Sequence, residues 1–218
     1  ISRLRDLDVS GEDLREPVAR YEWARPGDMV HVDVKKLGRI PPGGGHRVHG
    51  RTSAQYRATR RAKTGGARAG FVFLHSALDD HSRLTYTEEL PDELGSTAAG
   101  FWARAVKFFH HHGIRRIRRV LSDNGACYRS RAFAMALGAS RSRHKRTRPY
   151  RPQTNGKVER YHRTLAREWA YTQAWSSNDQ RAAELGAFLD RYNYHRPHTA
   201  LGGKPPITRC PRVSNLAA

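Results

Sequence analysis

The sequence predicts an α/β fold in which a mixed β-sheet is covered by helices. Two observations indicate this fold: three strand-like segments follow one another early in the chain, and helices alternate with strands afterwards. Strands joined by short turns pair antiparallel, whereas strands separated by a helix can pair in parallel. The length of 218 residues suits one domain of ordinary or large size.

The first three strands are predicted at residues 28–37, 70–80 and 82–90. In the first strand, valines occupy alternate positions, which is typical of a strand with one buried face. Asp33 therefore lies on the face opposite the valines. A tight turn joins the second strand to the third, so these two strands are expected to pair antiparallel.

The second half of the chain alternates helices and strands. Capping residues and glycine stops bound the helices, while short apolar runs mark the strands. The predicted elements are a helix at 96–113, a strand at 114–122, a helix at 130–140, a basic edge strand at 141–147, a helix at 156–173 and a last helix at 178–196.

Three regions are predicted along the chain. Residues 1–27 are polar and are interpreted as a linker or arm that follows a missing upstream segment. Residues 28–175 form the main α/β domain, and residues 176–218 form a C-terminal helix and tail. Within the main domain, residues 38–69 form a long basic insertion, which is either a disordered loop or a hairpin that becomes ordered on a partner.

The chain is strongly basic, with 40 Lys and Arg against 20 Asp and Glu and a formal net charge of +20. Self-repulsion of this size destabilises a compact chain unless a polyanion binds it. Nucleic acid is the expected partner, because each neutralised phosphate releases counterions. An acidic membrane surface is the alternative, although no apolar run approaches the roughly 20 residues of a membrane span. The two cysteines form no CxxC pair, which fits a reducing cytoplasm.

Three carboxylates occupy positions where reactive groups gather in α/β folds. Asp33 lies in the first strand, Asp123 directly follows the fourth, and Glu159 lies in the first turn of the helix after a Pro-rich loop. Together they could hold two divalent cations about 3.5–4 Å apart, and such oxygen ligands suit Mg²⁺ or Mn²⁺. Taken singly, each acid also has a structural explanation, as a turn, helix-start or solvated strand residue.

The spacing of the acids and the motifs around them favour the catalytic interpretation. Thirty-five residues separate Asp123 from Glu159. The surrounding motifs are HVDV (31–34), LDDHSR (78–83), LSDNGACY (121–128), RPYRPQTNGKVER (148–160) and YNYHRPHTALGGKPP (192–206). In these motifs the chain resembles the DDE transposases and retroviral-type integrases, and most closely the integrase-like transposases of bacterial insertion sequences.

The resemblance implies an RNase H-like fold with a five-stranded mixed sheet, in which residues 28–175 are the catalytic core. It also implies cleavage and strand transfer of double-stranded DNA at terminal inverted repeats, by multimers that act on paired ends and with Mg²⁺ or Mn²⁺, two per active site. Asp33, Asp123 and Glu159 are the implied metal ligands, and Asp80 is the second choice if Asp33 fails. An upstream helix-turn-helix domain and a place near the bacterial nucleoid are implied as well. The long insertion at 38–69 departs from the family pattern.

Basic and amide side chains around the acids are candidate DNA contacts. Arg163 and Arg167 share a helix face with Glu159, although a surface ion pair between Glu159 and Arg163 is the alternative explanation. Asn155-Gly156 is equally a turn signal. The predicted DNA contacts are Lys35, Lys36, Arg60, Arg61, Asn124, Arg148, Arg151, Gln153, Asn155, Lys157, Arg163 and Arg167.

Two other functions share much of this pattern. A non-catalytic DNA-binding protein, or a decayed transposase, has the same charge but needs no metal. A structure-selective nuclease on the same fold cuts DNA without joining it. The presence of all three acids argues against decay.

Overall fold

The computed structural model describes residues 22–57, 70–147 and 155–211. Its centre is a five-stranded sheet with the strand order β3-β2-β1-β4-β5. The strands are β1 (Val30–Gly38), β2 (Phe71–Asp79), β3 (Thr85–Leu90), β4 (Arg119–Ser122) and β5 (Arg143–Arg146). The pairs β1–β2 and β2–β3 are antiparallel, whereas β1–β4 and β4–β5 are parallel. The predicted mixed sheet, with β5 as a basic edge strand, is confirmed.

Helices cover both faces of the sheet. They are α1 (His46–His49), α2 (Gly95–His111), α3 (Ala126–Arg129), α4 (Arg131–Ala139), α5 (Gly156–Leu165), α6 (Asn178–Ala183) and α7 (Leu185–Asp190). A helical turn also lies at 54–57. Wider π-helical turns extend α5 over Ala166–Ala170 and α7 over Arg191–His195, and short 3₁₀ helices lie at Thr199–Leu201 and Pro206–Arg209.

The first face of the sheet packs against α2 and α4. The even-numbered residues of β1, including Val30 and Val32, point to this face, as strand alternation requires. Apolar residues recur at helical spacing along α2 and form a stripe that meets the strands. The buried members of this stripe are Ala98, Phe101, Trp102, Ala105 and Phe109.

The second face packs against α5, its π-helical extension and α7. The odd-numbered residues of β1, including His31 and Asp33, point to this face. Leu37, at the end of the same strand, joins an apolar cluster with residues of β2, α5 and α7. Tyr161 of α5 adds a polar contact, because its hydroxyl lies 2.7 Å from the Thr87 hydroxyl of β3. The helix that carries Glu159 is thus packed directly over the strand that carries Asp33.

Three predicted elements need correction at their boundaries. The strand predicted at 114–122 begins only at Arg119, because Gly113 has a positive φ of 80° and the next residues run as a loop that buries Ile114 and Ile117. The helix predicted to reach residue 173 ends at 170 after its π-helical turn. The last helix is divided near Glu184, between α6 and α7.

The structure describes only part of the predicted insertion and arm. β1 extends to Gly38, and α1 follows within the insertion, whereas residues 1–21 and 58–69 lie outside the described part. Across the described ranges, no helix is both long enough and apolar enough to cross a membrane.

Candidate active site

Two of the three predicted acids lie side by side at the centre of the sheet. In the parallel pairing of β1 with β4, His31 is the partner of Leu121. Asp33 and Asp123 each follow two residues later, so they lie at the same level and on the same face. Neighbouring strands are about 4.8 Å apart, which brings the two carboxylates into the same small region.

The surroundings of Asp123 disfavour its negative charge. Desolvation raises the pKa of Asp123, and the carboxylates of Asp33 and Glu93 raise it further, while a hydrogen bond from the Gly125 amide partly offsets the rise. That amide donates to Asp123 Oδ1 over 2.9 Å. Carboxylates that repel each other in this way fit a cation placed between them.

The helix that carries Glu159 is anchored next to Asp33. His162 lies one turn further along α5, with Nδ1 3.3 Å from Asp33 Oδ2 and Nε2 3.0 Å from the Ser76 hydroxyl. Residues three apart share a helix face, so Glu159 emerges on the side of α5 that faces the aspartates. Its own side chain is exposed to solvent.

The three acidic side chains do not form a closed metal-binding cluster. Among the described residues, no group of three or more His, Cys, Asp or Glu side chains is close enough to hold a metal ion. Asp33 and Asp123 are brought together by the sheet, whereas Glu159 is placed beside them without joining them. The metal site of Asp33, Asp123 and Glu159 therefore stays a prediction.

A buried polar network fixes the start of α5 to the sheet. Asp80 is fully buried, and its Oδ1 lies 2.8 Å from His31 Nε2 and 2.5 Å from Lys157 Nζ. The Trp23 amide donates to Asp80 Oδ2 over 2.8 Å, and Asn155 Oδ1 lies 3.1 Å from His31 Nδ1. Segments from four parts of the chain therefore meet at one carboxylate.

The charge of Asp80 is stabilised by these contacts. Burial alone would raise its pKa, but the hydrogen bonds from His31, Lys157 and the Trp23 amide outweigh burial and lower the pKa to about 2. Asp80 thus has a structural role, and its partners are protein groups. Its second-choice role as a metal ligand stays a prediction.

The network changes the interpretation of two predicted DNA contacts. Asn155 is only 4% exposed and its Oδ1 faces His31, so it has a partner within the protein, and its contact with DNA stays a prediction. Its amide is buried because the turn at Asn155-Gly156 closes over β1. Lys157 has an internal partner in Asp80, which ties the first turn of α5 to the sheet.

The other predicted DNA contacts lie on the surface or outside the described part. Lys35, Arg163 and Arg167 are exposed, and Lys36 is exposed while it pairs with Glu93. Asn124 donates from Nδ2 to the Thr147 carbonyl over 3.0 Å, which ties the Asp123 loop to the end of β5. The residues outside the described ranges are Arg60, Arg61, Arg148, Arg151 and Gln153.

Sequence reasoning missed two side chains beside the aspartates. Glu93 lies in the turn between β3 and α2, and its charge acts on Asp123 from there. His162 lies three positions after Glu159, and its contact with Asp33 appears only in the folded chain. Acidic residues in turns and histidines on helices are common in any sequence. Only the folded structure therefore shows that Glu93 and His162 lie near the aspartates.

Likenesses to solved structures define the class of fold. A chain of the simian T-cell lymphotropic virus intasome in complex with PP2A regulatory subunit B56 gamma aligns with a TM-score of 0.61 and 18% identity, covering 91% of this chain and 60% of that one. The HTLV-2 integrase catalytic core domain in complex with magnesium aligns with a TM-score of 0.56 and 14% identity, covering 85% and 97%. The protein therefore has the RNase H-like fold of integrase cores, as predicted.

The sequence identifies the family. The family described as "Integrase core domain" matches residues 24–152, which is more than half of the chain, and a second family of the same description matches residues 140–206. The chain belongs to the integrase core domain family. Both matches include parts of the site, since Asp33 and Asp123 lie in the first and Glu159 in the second.

Curated relatives come from bacterial insertion elements. The putative transposase InsD for insertion element IS2E of Escherichia coli (strain K12) is 34% identical over 89 residues, which is 39% of this chain and 39% of that protein. Transposase InsD for insertion element IS2A/D/F/H/I/K of Escherichia coli is 34% identical over 89 residues, 39% of this chain and 29% of that protein. The chain thus matches about a third of the length of these relatives.

Proposed function

We propose that this chain is the catalytic core of a DNA transposase that cleaves DNA strands at terminal inverted repeats and joins them to target DNA. The observation that carries the proposal is that Asp33 and Asp123 follow paired residues of two adjacent parallel strands. The helix that carries Glu159 contacts Asp33 through His162. The transposase relatives and the integrase core family support it.

The donor set fits a divalent metal ion. Asp33 and Asp123 offer hard oxygen ligands whose mutual repulsion a cation would relieve. Asp33, Asp123 and Glu159 would hold two Mg²⁺ or Mn²⁺ ions once the Glu159 side chain turns toward the pair. Bound metal ions supply activation of the attacking oxygen and stabilisation of the leaving oxygen.

The residues of the chain position the reactants. His162 holds the Asp33 carboxylate, and the Asp80 network holds the helix turn from which Glu159 projects. Arg163 and Arg167, exposed further along the same helix, are placed to neutralise phosphates of the DNA. The partners proposed are inverted-repeat ends and target DNA, bound by a dimer or higher multimer of this chain in the bacterial cytoplasm.

The test is strand transfer with the element's own terminal DNA, supplied with Mg²⁺ or Mn²⁺. Joined products are expected from the full protein and are expected to vanish with Asp33→Asn, Asp123→Asn and Glu159→Gln. Asp179→Asn, an exposed acid on α6, is the matched control and should join normally. Full joining by Glu159→Gln would overturn the assignment of the third acid.

The same assay separates the two alternative functions. A structure-selective nuclease gives cut DNA without joined products. A non-catalytic DNA-binding protein gives neither product while still binding the DNA. Either result would replace the transposase proposal.

A further inference from the structure

A row of basic side chains leads away from Asp123 across the edge of the sheet. In the parallel pairing of β4 with β5, Arg119 is the partner of Arg143, and Leu121 is the partner of Lys145. Directly paired residues of parallel strands point to the same face. Arg119, Arg143 and Lys145 therefore lie on the same face as Asp123, which follows Leu121 by two residues.

Trp23 lies against this row. Its ring centroid is 4.5 Å from the Arg119 guanidinium carbon and 5.7 Å from Lys145 Nζ, so both cations contact the ring. The Trp23 backbone is fixed by its hydrogen bond to Asp80. The ring thus holds the Arg119 and Lys145 cations beside each other on one surface.

Among the described residues, the apolar cluster under α5 and α7 contains residues of β1 and β2 but none of β4 or β5. Arg143 and Lys145 are exposed, and within the described ranges neither has a carboxylate at ion-pair distance. β4 and β5 themselves contain no acidic residue.

The row runs back along β5 from the level of Asp123. Ser122 pairs with Arg146, so Thr147 follows at the level of Asp123, and Arg143 lies four positions earlier. At about 3.3 Å per residue, this distance is roughly 13 Å. A DNA strand covers such a length with about four nucleotides at roughly 3.4 Å each.

A basic edge strand also protects a sheet from pairing with another chain. That explanation does not require the contacts with Trp23 or the alignment with Asp123. We propose that the basic track, defined as Arg119, Arg143 and Lys145 with Trp23, binds the phosphates of duplex DNA that extends away from the aspartate pair. The inference rests on the proposed function for the placement of the reacting phosphate, but not for the binding of DNA.

Salt-dependent DNA binding tests the track. The full chain with Arg143→Gln and Lys145→Gln is compared with a control carrying Lys107→Gln and Lys204→Gln, which removes the same charge from exposed positions elsewhere. Affinity for a fluorescein-labelled duplex is measured in EDTA by anisotropy over a range of salt concentrations. The track variant should lower the slope of log K against log salt by about 2, since each lost phosphate contact removes about 0.9.

The control pair should leave that slope nearly unchanged. Equal slopes for the two double variants would overturn the proposal. Because EDTA removes divalent metal, the measured DNA binding is independent of strand transfer. If the track variant shows the lower slope but the joining assay fails, only the catalytic proposal is contradicted. Normal joining with equal slopes contradicts only the track.

Directed cleavage locates the DNA on the track. An iron chelate is attached at Arg143→Cys or Lys145→Cys in a Cys210→Ser background, since Cys127 is buried. The cuts from position 143 should lie about two base pairs farther from the reacting end than those from position 145, as the strand spacing requires. Cuts that do not shift between the two positions would contradict the proposed direction.

Discussion

The two aspartates and the glutamate of the candidate site are held by different parts of the molecule. Asp33 and Asp123 are fixed by the backbone pairing of two central strands, β1 and β4. Glu159 stands on a helix whose first turn is fixed by side chains, chiefly the contacts of Asp80 with His31 and Lys157. The position of Asp33 and Asp123 therefore depends on backbone hydrogen bonds between strands, whereas the position of Glu159 depends on a buried network of polar side chains.

The largest expected effect comes from neutralising a strand acid. Asp33→Asn or Asp123→Asn should reduce strand transfer about a thousandfold or more, because several kcal/mol of metal-dependent stabilisation are lost. The free energy of unfolding should not fall for Asp123→Asn, since the fold already disfavours its charge. Joining assays and urea titrations measure the two quantities. Lost stability with retained joining would show that these acids are structural.

Neutralising Asp80 should chiefly lower the free energy of unfolding, in contrast to the strand aspartates, whose neutralisation should chiefly lower strand transfer. Asp80→Asn removes the partner of a partly buried lysine and should lower the free energy of unfolding by about 3 kcal/mol. Urea unfolding measures this loss, with Asp179→Asn as the exposed control. A loss below about 1 kcal/mol would contradict the role given to the network.

A double-mutant cycle sharpens the same point. Lys157→Met alone leaves the Asp80 carboxylate buried with fewer donors, so it should also destabilise the protein. Adding Lys157→Met to Asp80→Asn should cost less than the sum of the single changes, with a coupling of about 1–3 kcal/mol. Urea titrations of the four proteins measure it. Simple additivity would mean that the contact contributes little to stability.

Acid titration distinguishes the two kinds of carboxylate. The pKa of Asp80 is lowered from 3.8 to about 2, so its contribution is fully present above pH 3.8 and is lost as the pH falls toward 2. The pKa of Asp123 is raised, so ionisation of Asp123 reduces stability as the pH rises above 3.8. Stability measured across the acid range should lose part of its pH dependence in Asp80→Asn. An unchanged profile would contradict the lowered pKa.

The smallest expected effect is at the contact between the two regions. His162→Gln removes the ring that lies between Asp33 and Ser76, and a lost polar contact costs about 1 kcal/mol. Joining should fall by about tenfold, and the free energy of unfolding should fall by about 1 kcal/mol. Arg160→Gln, an exposed neighbour on α5, is the control. Unchanged joining with this loss of stability would make His162 a structural residue.

Much of the fold followed from local patterns in the sequence. The valine alternation in β1 and the position of Asp123 after β4 placed both aspartates where reactive groups gather in α/β folds, while their shared site was predicted from the spacing of Asp123 and Glu159 and from the motifs around the acids. The mixed sheet followed from three consecutive strands before the first long helix. These features depend on periods and turns that are visible within a few residues.

The sequence could not predict contacts between distant polar residues. Asn155-Gly156 has the composition of a turn, and nothing near it in sequence indicates that its amide meets His31, 124 positions earlier. Asp80 was equally ambiguous, because its partners His31 and Lys157 lie 49 and 77 positions away. Such contacts exist only after β1, β2 and α5 have packed, so they were predicted as DNA or metal contacts.

Manganese binding tests most directly whether the strand acids and the helix acid act on the same ions. Mn²⁺ is titrated into the wild-type chain and into the Asp33→Asn, Asp123→Asn and Glu159→Gln variants, and free Mn²⁺ is followed by electron paramagnetic resonance. Saturable binding should be lost in both aspartate variants and weakened in the glutamate variant, with folding unchanged. Undiminished Mn²⁺ binding by all three variants would contradict a shared site of Asp33, Asp123 and Glu159.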